Sequence, residues 1–192
     1  MPVENQRTCT SSVNLILRAA RFAAEKHASQ RRKGAAAEPY INHLLEVAEL
    51  VVASSDELDT NLTVAALLHD TVEDTATSIE EVREKFGEDV AGLVAEVTDD
   101  KSLPKQRRKA LQVETAPKKT VRAQVLKLAD KISNLRSILA SPPADWSFER
   151  KQEYFEWGKR VVDGLTAPNA SLRAEFDRIY AEFYKMGSQS ER

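Results

Sequence analysis

The sequence predicts an all-α fold, one domain of roughly eight to ten helices. Three observations predict it. Glycine is sparse, at 6 of 192 residues, and no alternating β-branched run marks a strand. Ala, Leu, Glu, Lys and Arg, which lose little on entering a helix, are abundant. Helix start and stop signals recur along the chain, as at Ser78 with Glu81, Gly87, Ser147 and Ser141-Pro142-Pro143.

A first helix is expected from about Val13 to His27, with Leu17, Ala20, Ala24 and Ala28 on one side. Gln30-Arg31-Arg32-Lys33-Gly34 breaks it, and a loop leads to Pro39. A second helix covers about Ile41 to Ala53, with Leu44, Val47, Ala48 and Val51 as its apolar face. The third, about Asp59 to His69, is apolar on nearly every side apart from Thr63, as expected of a helix surrounded by others. It delivers His69-Asp70 from the middle of the fold.

Ser78 followed by Glu81 starts a short helix that Gly87 ends, and another runs to about Val97. Ser102 and Pro104 open a helix to about Thr115, since proline suits a first turn. The longest helix is expected from about Lys119 to Leu139, followed by one from Ser147 to Leu165 and a last from Asn169 to Lys185. The domain is expected to span residues 1–192, with a core over about 13–185, short flexible termini and a frayed tail from Gly187.

Composition excludes several classes. Lys and Arg number 28 against 30 Asp and Glu, a net charge of −2, so no general nucleic-acid-binding surface is expected. The lone cysteine, Cys9, permits neither an internal disulfide nor a Cys-rich zinc module, which fits a reducing cytoplasm. No apolar run approaches the ~20 residues that span a bilayer, and no signal-peptide pattern is visible.

The chemistry concentrates in "LLHDTVEDT", Leu67 to Thr75. Burying His69 and Asp70 is costly unless a partner satisfies both, and a divalent cation would. If the helix continues, Glu73 and Asp74 lie on the same face four residues later. Spacing alone leaves two readings open, a metal site and an acidic loop before the next N-cap. Of the other two histidines, His27 and His43, neither is marked as a ligand by its context. In "VLKLADKISNL", Val125, Leu128, Ile132, Leu135 and Leu139 form the main apolar stripe. Asp130 lies opposite it, near Lys127, Lys131 and Asn134, which periodicity reads as a solvated face with a Lys-Asp pair. Arg31, Arg32 and Lys33 precede the His43 helix by one loop and suit a phosphate-rich substrate.

Six segments carry a resemblance: "HASQRRK", "PYINHLLEVA", "AALLHDTVEDT", "FGEDVAGLVAEVTDDKSLPKQRRK", "VLKLADKISNLR" and "YFEWGKRVV". In this order, from about His27 to Val162, they resemble the hydrolase domain of the RelA/SpoT enzymes, within the HD superfamily of metal-dependent phosphohydrolases. The likeness is greatest to the small single-domain alarmone hydrolases, the group that includes the metazoan SpoT homologue.

The resemblance implies an all-α fold and hydrolysis of ppGpp or pppGpp at the 3′-pyrophosphate, giving GDP or GTP and pyrophosphate. It implies His43, His69, Asp70 and Asp130 as metal ligands, with Mn²⁺ the usual ion. Glu73 and Asp74 match the acidic pair that positions or deprotonates the attacking water. Arg32, Lys33, Asn134 and Tyr154 match residues around the nucleotide, and Lys101 and Lys105 are candidates for the pyrophosphate. The implied donor set is mixed nitrogen and oxygen without thiolate, which suits Mn²⁺, Fe²⁺ or Zn²⁺. The loop after Lys33 reads "GAAAE", where relatives often carry a more polar turn. The chain is too short for the synthetase and regulatory domains of the long enzymes, so alarmone synthesis is not expected. The alternatives are an NADPH 2′-phosphatase or another HD-type nucleotide phosphohydrolase, and a non-enzymatic nucleotide sensor or helical scaffold.

Overall fold

The computed structural model describes residues 3–167 and 169–190, with side chains over 10–167 and 169–187. Among them are helices and no named strand, only an isolated bridge between Arg31 and Pro39. The fold is all-α. No described helix is long and apolar enough to cross a membrane. The chain divides into two compact units, one running through Gln30 and over Tyr40–Thr98, the other formed by Arg31–Pro39 and the residues from Asp99 onward.

The first unit holds α1 (Val3–Lys26), α2 (Ile41–Ala53), α3 (Thr60–Leu68), α4 (Thr71–Asp74), α5 (Ile79–Phe86) and α6 (Glu88–Val97). Its centre is α3, packed against α1, α2 and α6. Every residue from Leu62 to Leu68 is buried, and each large aliphatic side chain so enclosed contributes roughly 1.5–3 kcal/mol. Thr63 is buried too, because its Oγ1 donates to the Asp59 carbonyl at 2.8 Å. Asp59 caps the helix by accepting from the Leu62 amide at 2.9 Å.

The α2 face is as expected, with Leu44, Val47, Ala48 and Val51 buried and His43 beside them. The α1 face is not. Leu17 is 63% exposed, Ala24 and Ala28 are exposed, and the buried line runs through Ala19, Ala23 and His27. Alanines occur on several sides of this helix, so their spacing does not single out the stripe. At 24 residues α1, beginning at Val3, is also the longest described helix. Ser78 accepts from the Glu81 amide at 3.1 Å, but the Glu81 carboxylate pairs with Lys26 at 3.2 Å rather than completing a reciprocal capping box.

The second unit holds α7 (Lys105–Thr115), a short 3₁₀ turn (Ala116–Lys118), α8 (Val121–Ala140), α9 (Phe148–Asp163) and α10 (Ala170–Ser190). Pro104 is the N-cap of α7 rather than its first residue. Phe155 and Phe183 stack at 4.1 Å between α9 and α10. Buried Gln124 ties the start of α8 to the loop before α10, donating to Thr166 Oγ1 at 3.1 Å and accepting from the Ala167 amide at 2.9 Å. Helix α10 continues through Gly187 to Ser190, and residues 191–192 of the expected tail lie outside the described residues.

Candidate functional site

His69 sits one residue beyond α3, and the helix does not continue through it. Asp70 instead becomes the N-cap of α4, a single turn carrying Glu73 and Asp74. The stretch is therefore a helical turn rather than an open acidic loop, closed by the Asp74 amide donating to the Asp70 carbonyl at 2.8 Å. His43 enters from the first turn of α2.

These elements bring His43 Nε2 to 3.4 Å and His69 Nε2 to 3.2 Å from Asp70 Oδ2. The two imidazoles lie edge to face at 5.2 Å, and both are buried. Tyr40 closes the group by donating its hydroxyl to Asp70 Oδ2 at 2.6 Å. Burial pushes the Asp70 carboxyl up, but the charge of His69 and hydrogen bonds from His43 and His69 outweigh it, leaving the group well below 3.8.

The chemistry of this donor set fits a divalent cation. His69 Nδ1 lies 2.8 Å from the Ala66 carbonyl, which can only accept, so Nδ1 carries the ring proton. Nε2 is then the nitrogen turned toward Asp70, and a cation bound between them would replace the proton that the imidazole shares with the carboxylate. Two ring nitrogens and a carboxylate oxygen converging this closely need positive charge among them. Glu73 and Asp74 follow one turn later, with Asp74 Oδ2 accepting from Gln30 Nε2 at 2.9 Å.

The second unit gathers the residues matched to the nucleotide. Asp130 is buried, which corrects the solvated face that periodicity assigns it. Helix α8 buries Lys127, Asp130 and Lys131 together, and charge pairing makes this tolerable. Lys131 Nζ donates to Asp130 Oδ2 at 2.9 Å, and Asn134 Nδ2 donates to Oδ1. Burial lowers the Lys131 ammonium, but Asp130 and then Tyr154 raise it by more, so it remains charged. Burial and the neighbouring Lys131 depress Lys127.

Arg32 reaches Asn134 Oδ1 at 3.3 Å and the Ser133 carbonyl at 3.4 Å. Tyr154 lies among Trp146, Trp157 and the Lys109 ammonium, at 5.4, 5.3 and 5.3 Å. Lys33, Lys101 and Lys105 are exposed. The structure thus gathers His43, His69, Asp70, Glu73 and Asp74 in one unit and Arg32, Asn134 and Asp130 in the other. Sequence reasoning missed Tyr40, Gln30 and His27. Their signal was present, since all three fall in the segments "HASQRRK" and "PYINH".

Fold and donor set define an all-α protein with a histidine-aspartate cluster whose donors suit a divalent cation. The HD domain family model matches residues 19–154, and the chain belongs to that family. It is 50% identical over 173 residues to "Guanosine-3′,5′-bis(diphosphate) 3′-pyrophosphohydrolase MESH1" of Xenopus tropicalis, covering 90% of this chain and 97% of that protein. Its identity to the Homo sapiens protein of the same name is 48%, covering 87% and 93%. A solved structure described as "A metazoan ortholog of SpoT hydrolyzes ppGpp and plays a role in starvation responses" superposes with a TM-score of 0.84 at 46% identity, covering 88% of this chain and 94% of that one. A Listeria monocytogenes structure, lmo0812, matches with a TM-score of 0.62 at 30% identity, covering 74% and 99%.

Proposed function

We propose that this chain is a metal-dependent hydrolase that cleaves the 3′-pyrophosphate of guanosine tetra- and pentaphosphate, releasing GDP or GTP and pyrophosphate. The observation that carries the reading is the convergence of His43, His69 and Asp70, with Glu73 and Asp74 one turn beyond, in a chain about half identical to curated 3′-pyrophosphohydrolases.

His43, His69 and Asp70 hold the cation, and Asp130 is assigned as a further ligand from the family resemblance. Mn²⁺ is the ion proposed. When bound, the cation supplies Lewis acidity, polarising water and neutralising phosphoryl charge. Glu73 and Asp74 orient the attacking water and take its proton. The water oxygen bonds to the phosphorus carried on the 3′-oxygen, and that P–O bond breaks, leaving the nucleotide 3′-oxygen to take up a proton. Arg32, Lys33, Lys101 and Lys105 offset charge on the substrate and transition state. Asn134 and Tyr154 hold the nucleoside and sugar-phosphate. We further propose that both units work as one hydrolase domain with a core over about 13–185, acting in the cytoplasm on a small nucleotide and not on nucleic acid.

The test is release of pyrophosphate from ppGpp, pppGpp, pGpp and ppApp, and of phosphate from NADPH, with added Mn²⁺, using the wild type, Asp70→Ala and Glu73→Ala. Turnover of the guanosine alarmones, lost in both variants, is expected. Unchanged turnover in both removes the mechanism, and phosphate release from NADPH alone assigns the 2′-phosphatase activity instead.

A further inference from the structure

The first unit contains a polar chain that the assignment above does not use. His27 Nδ1 lies 2.5 Å from Gln30 Oε1, and Gln30 Nε2 lies 2.9 Å from Asp74 Oδ2. The His27 ring stacks on Tyr40 with centroids 5.1 Å apart and planes 19° apart, and the Tyr40 hydroxyl holds Asp70 at 2.6 Å. We propose that His27 and Gln30 are positioning residues, fixing Asp74 through the Gln30 amide and Asp70 through the ring on which Tyr40 rests. The proposal rests on the assignment of Asp74 to the attacking water.

Chemistry fixes the direction of every bond in the chain. An ionised carboxylate only accepts, so the Gln30 atom facing Asp74 is its amide nitrogen. The opposite end, Oε1, also only accepts. The His27 nitrogen beside it must therefore carry the proton, which sets the ring as the Nδ1–H tautomer. The other ring nitrogen supplies an independent check. His27 Nε2 is buried with no hydrogen-bond partner among the described residues. A buried acceptor left unmet is tolerated more often than a buried N–H, so the bare lone pair belongs there.

The arrangement resembles the outer partners that orient metal-site side chains, but here the oriented group handles water. Gln30 occupies Asp74 Oδ2 and limits rotation of the carboxylate about its terminal bond. His27 is 2% exposed and stacked, so it cannot turn aside without disturbing Tyr40. One ring thereby supports a carboxylate on each side of the turn that begins α4.

Two measurements test this. In ¹⁵N-labelled, metal-free protein, long-range ¹H–¹⁵N spectra are expected to show His27 in the Nδ1–H form, and Gln30→Leu to abolish that preference. With substrate and Mn²⁺, Gln30→Leu is expected to lower kcat by about 10- to 100-fold, with KM within about twofold, the scale typical of such supporting partners. Combined with Asp74→Asn it should add little further loss, because both changes break one unit. Gln30→Glu preserves shape but turns the donor into a carboxylate facing Asp74, so kcat should fall as well, while helical circular dichroism equal to wild type in both variants separates the loss from a folding defect. An Nε2–H tautomer in the wild type, or losses that multiply in the double variant, overturns the proposal. Should the wild type hydrolyse no substrate, the functional reading fails, and the tautomer still decides whether the chain of bonds exists.

Discussion

Tyr40 and Asp70 are joined by a 2.6 Å hydrogen bond across 30 residues of sequence, linking the N-cap of α2 to the N-cap of α4. The phenol donates to the same oxygen that faces both imidazoles, so it holds Asp70 Oδ2 in place between them. Tyr40→Phe keeps the ring stacked on His27 and removes only that donor. Affinity for Mn²⁺, measured by titration, is expected to fall about 10- to 100-fold. Stability of the metal-free protein should change by no more than about 1–1.5 kcal/mol.

Cation removal should be visible without any substrate. A cation held by His43, His69 and Asp70 binds the folded chain and not the unfolded one, so it raises the unfolding temperature by mass action. Chelation is expected to lower Tm and added Mn²⁺ to restore it. His69→Ala should show neither response, and a full Mn²⁺-dependent shift in that variant would count against the assigned ligand.

Gly34 has a separate role, in the loop that carries Arg32. A Cβ built at Gly34 would stand 2.2 Å from the Ser141 carbonyl oxygen and 2.9 Å from its Oγ. The loop is also tied to Ser141 by the Ala36 amide, which donates to Oγ at 2.9 Å. Gly34→Ala is expected to destabilise by about 1–3 kcal/mol through this overlap. Because the loop must shift, KM for the nucleotide should rise more than kcat falls, as steady-state kinetics will show.

Acid sensitivity should trace in part to Glu175. A hydrogen bond from Arg178, joined by a hydrogen bond from Arg136 and the charges of both arginines, outweighs the opposing effect of burial and holds its carboxyl at about 2 rather than 4.5. The lowered folded-state value means that this stabilisation is fully present above the unfolded value and is lost as pH falls toward 2. Glu175→Gln is therefore expected to lower Tm by a constant amount at neutral pH. The gap from wild type should close between about pH 4.5 and 2, as a series of thermal melts will measure.

Legibility in the sequence depended on how far each residue's environment was local. The α2 stripe was readable because Leu44, Val47, Ala48 and Val51 repeat at helical spacing against polar neighbours. The enclosed character of α3 was readable because nearly every side chain in it is apolar. Asp130 was not readable by pattern, since its burial depends on Lys131 and Asn134 supplying donors within α8, and charged residues ordinarily mark an outward face. The α1 stripe failed because alanine fits either environment, and only contact with α3 decides which alanines are covered. The break at His69-Asp70 was also hidden, because a helix that ends and restarts within two residues keeps the same four-residue spacing.

The division of labour between the units has an evolutionary reading. The groups assigned to water and the imidazole ligands lie in one unit, while those assigned to nucleoside and phosphates, Arg32, Lys33, Lys101, Lys105, Asn134 and Tyr154, all lie in the other. Substitutions that retune which phosphorylated nucleotide is accepted are therefore expected among the latter, Asn134 excepted, because it also donates to Asp130, the one assigned ligand in that unit.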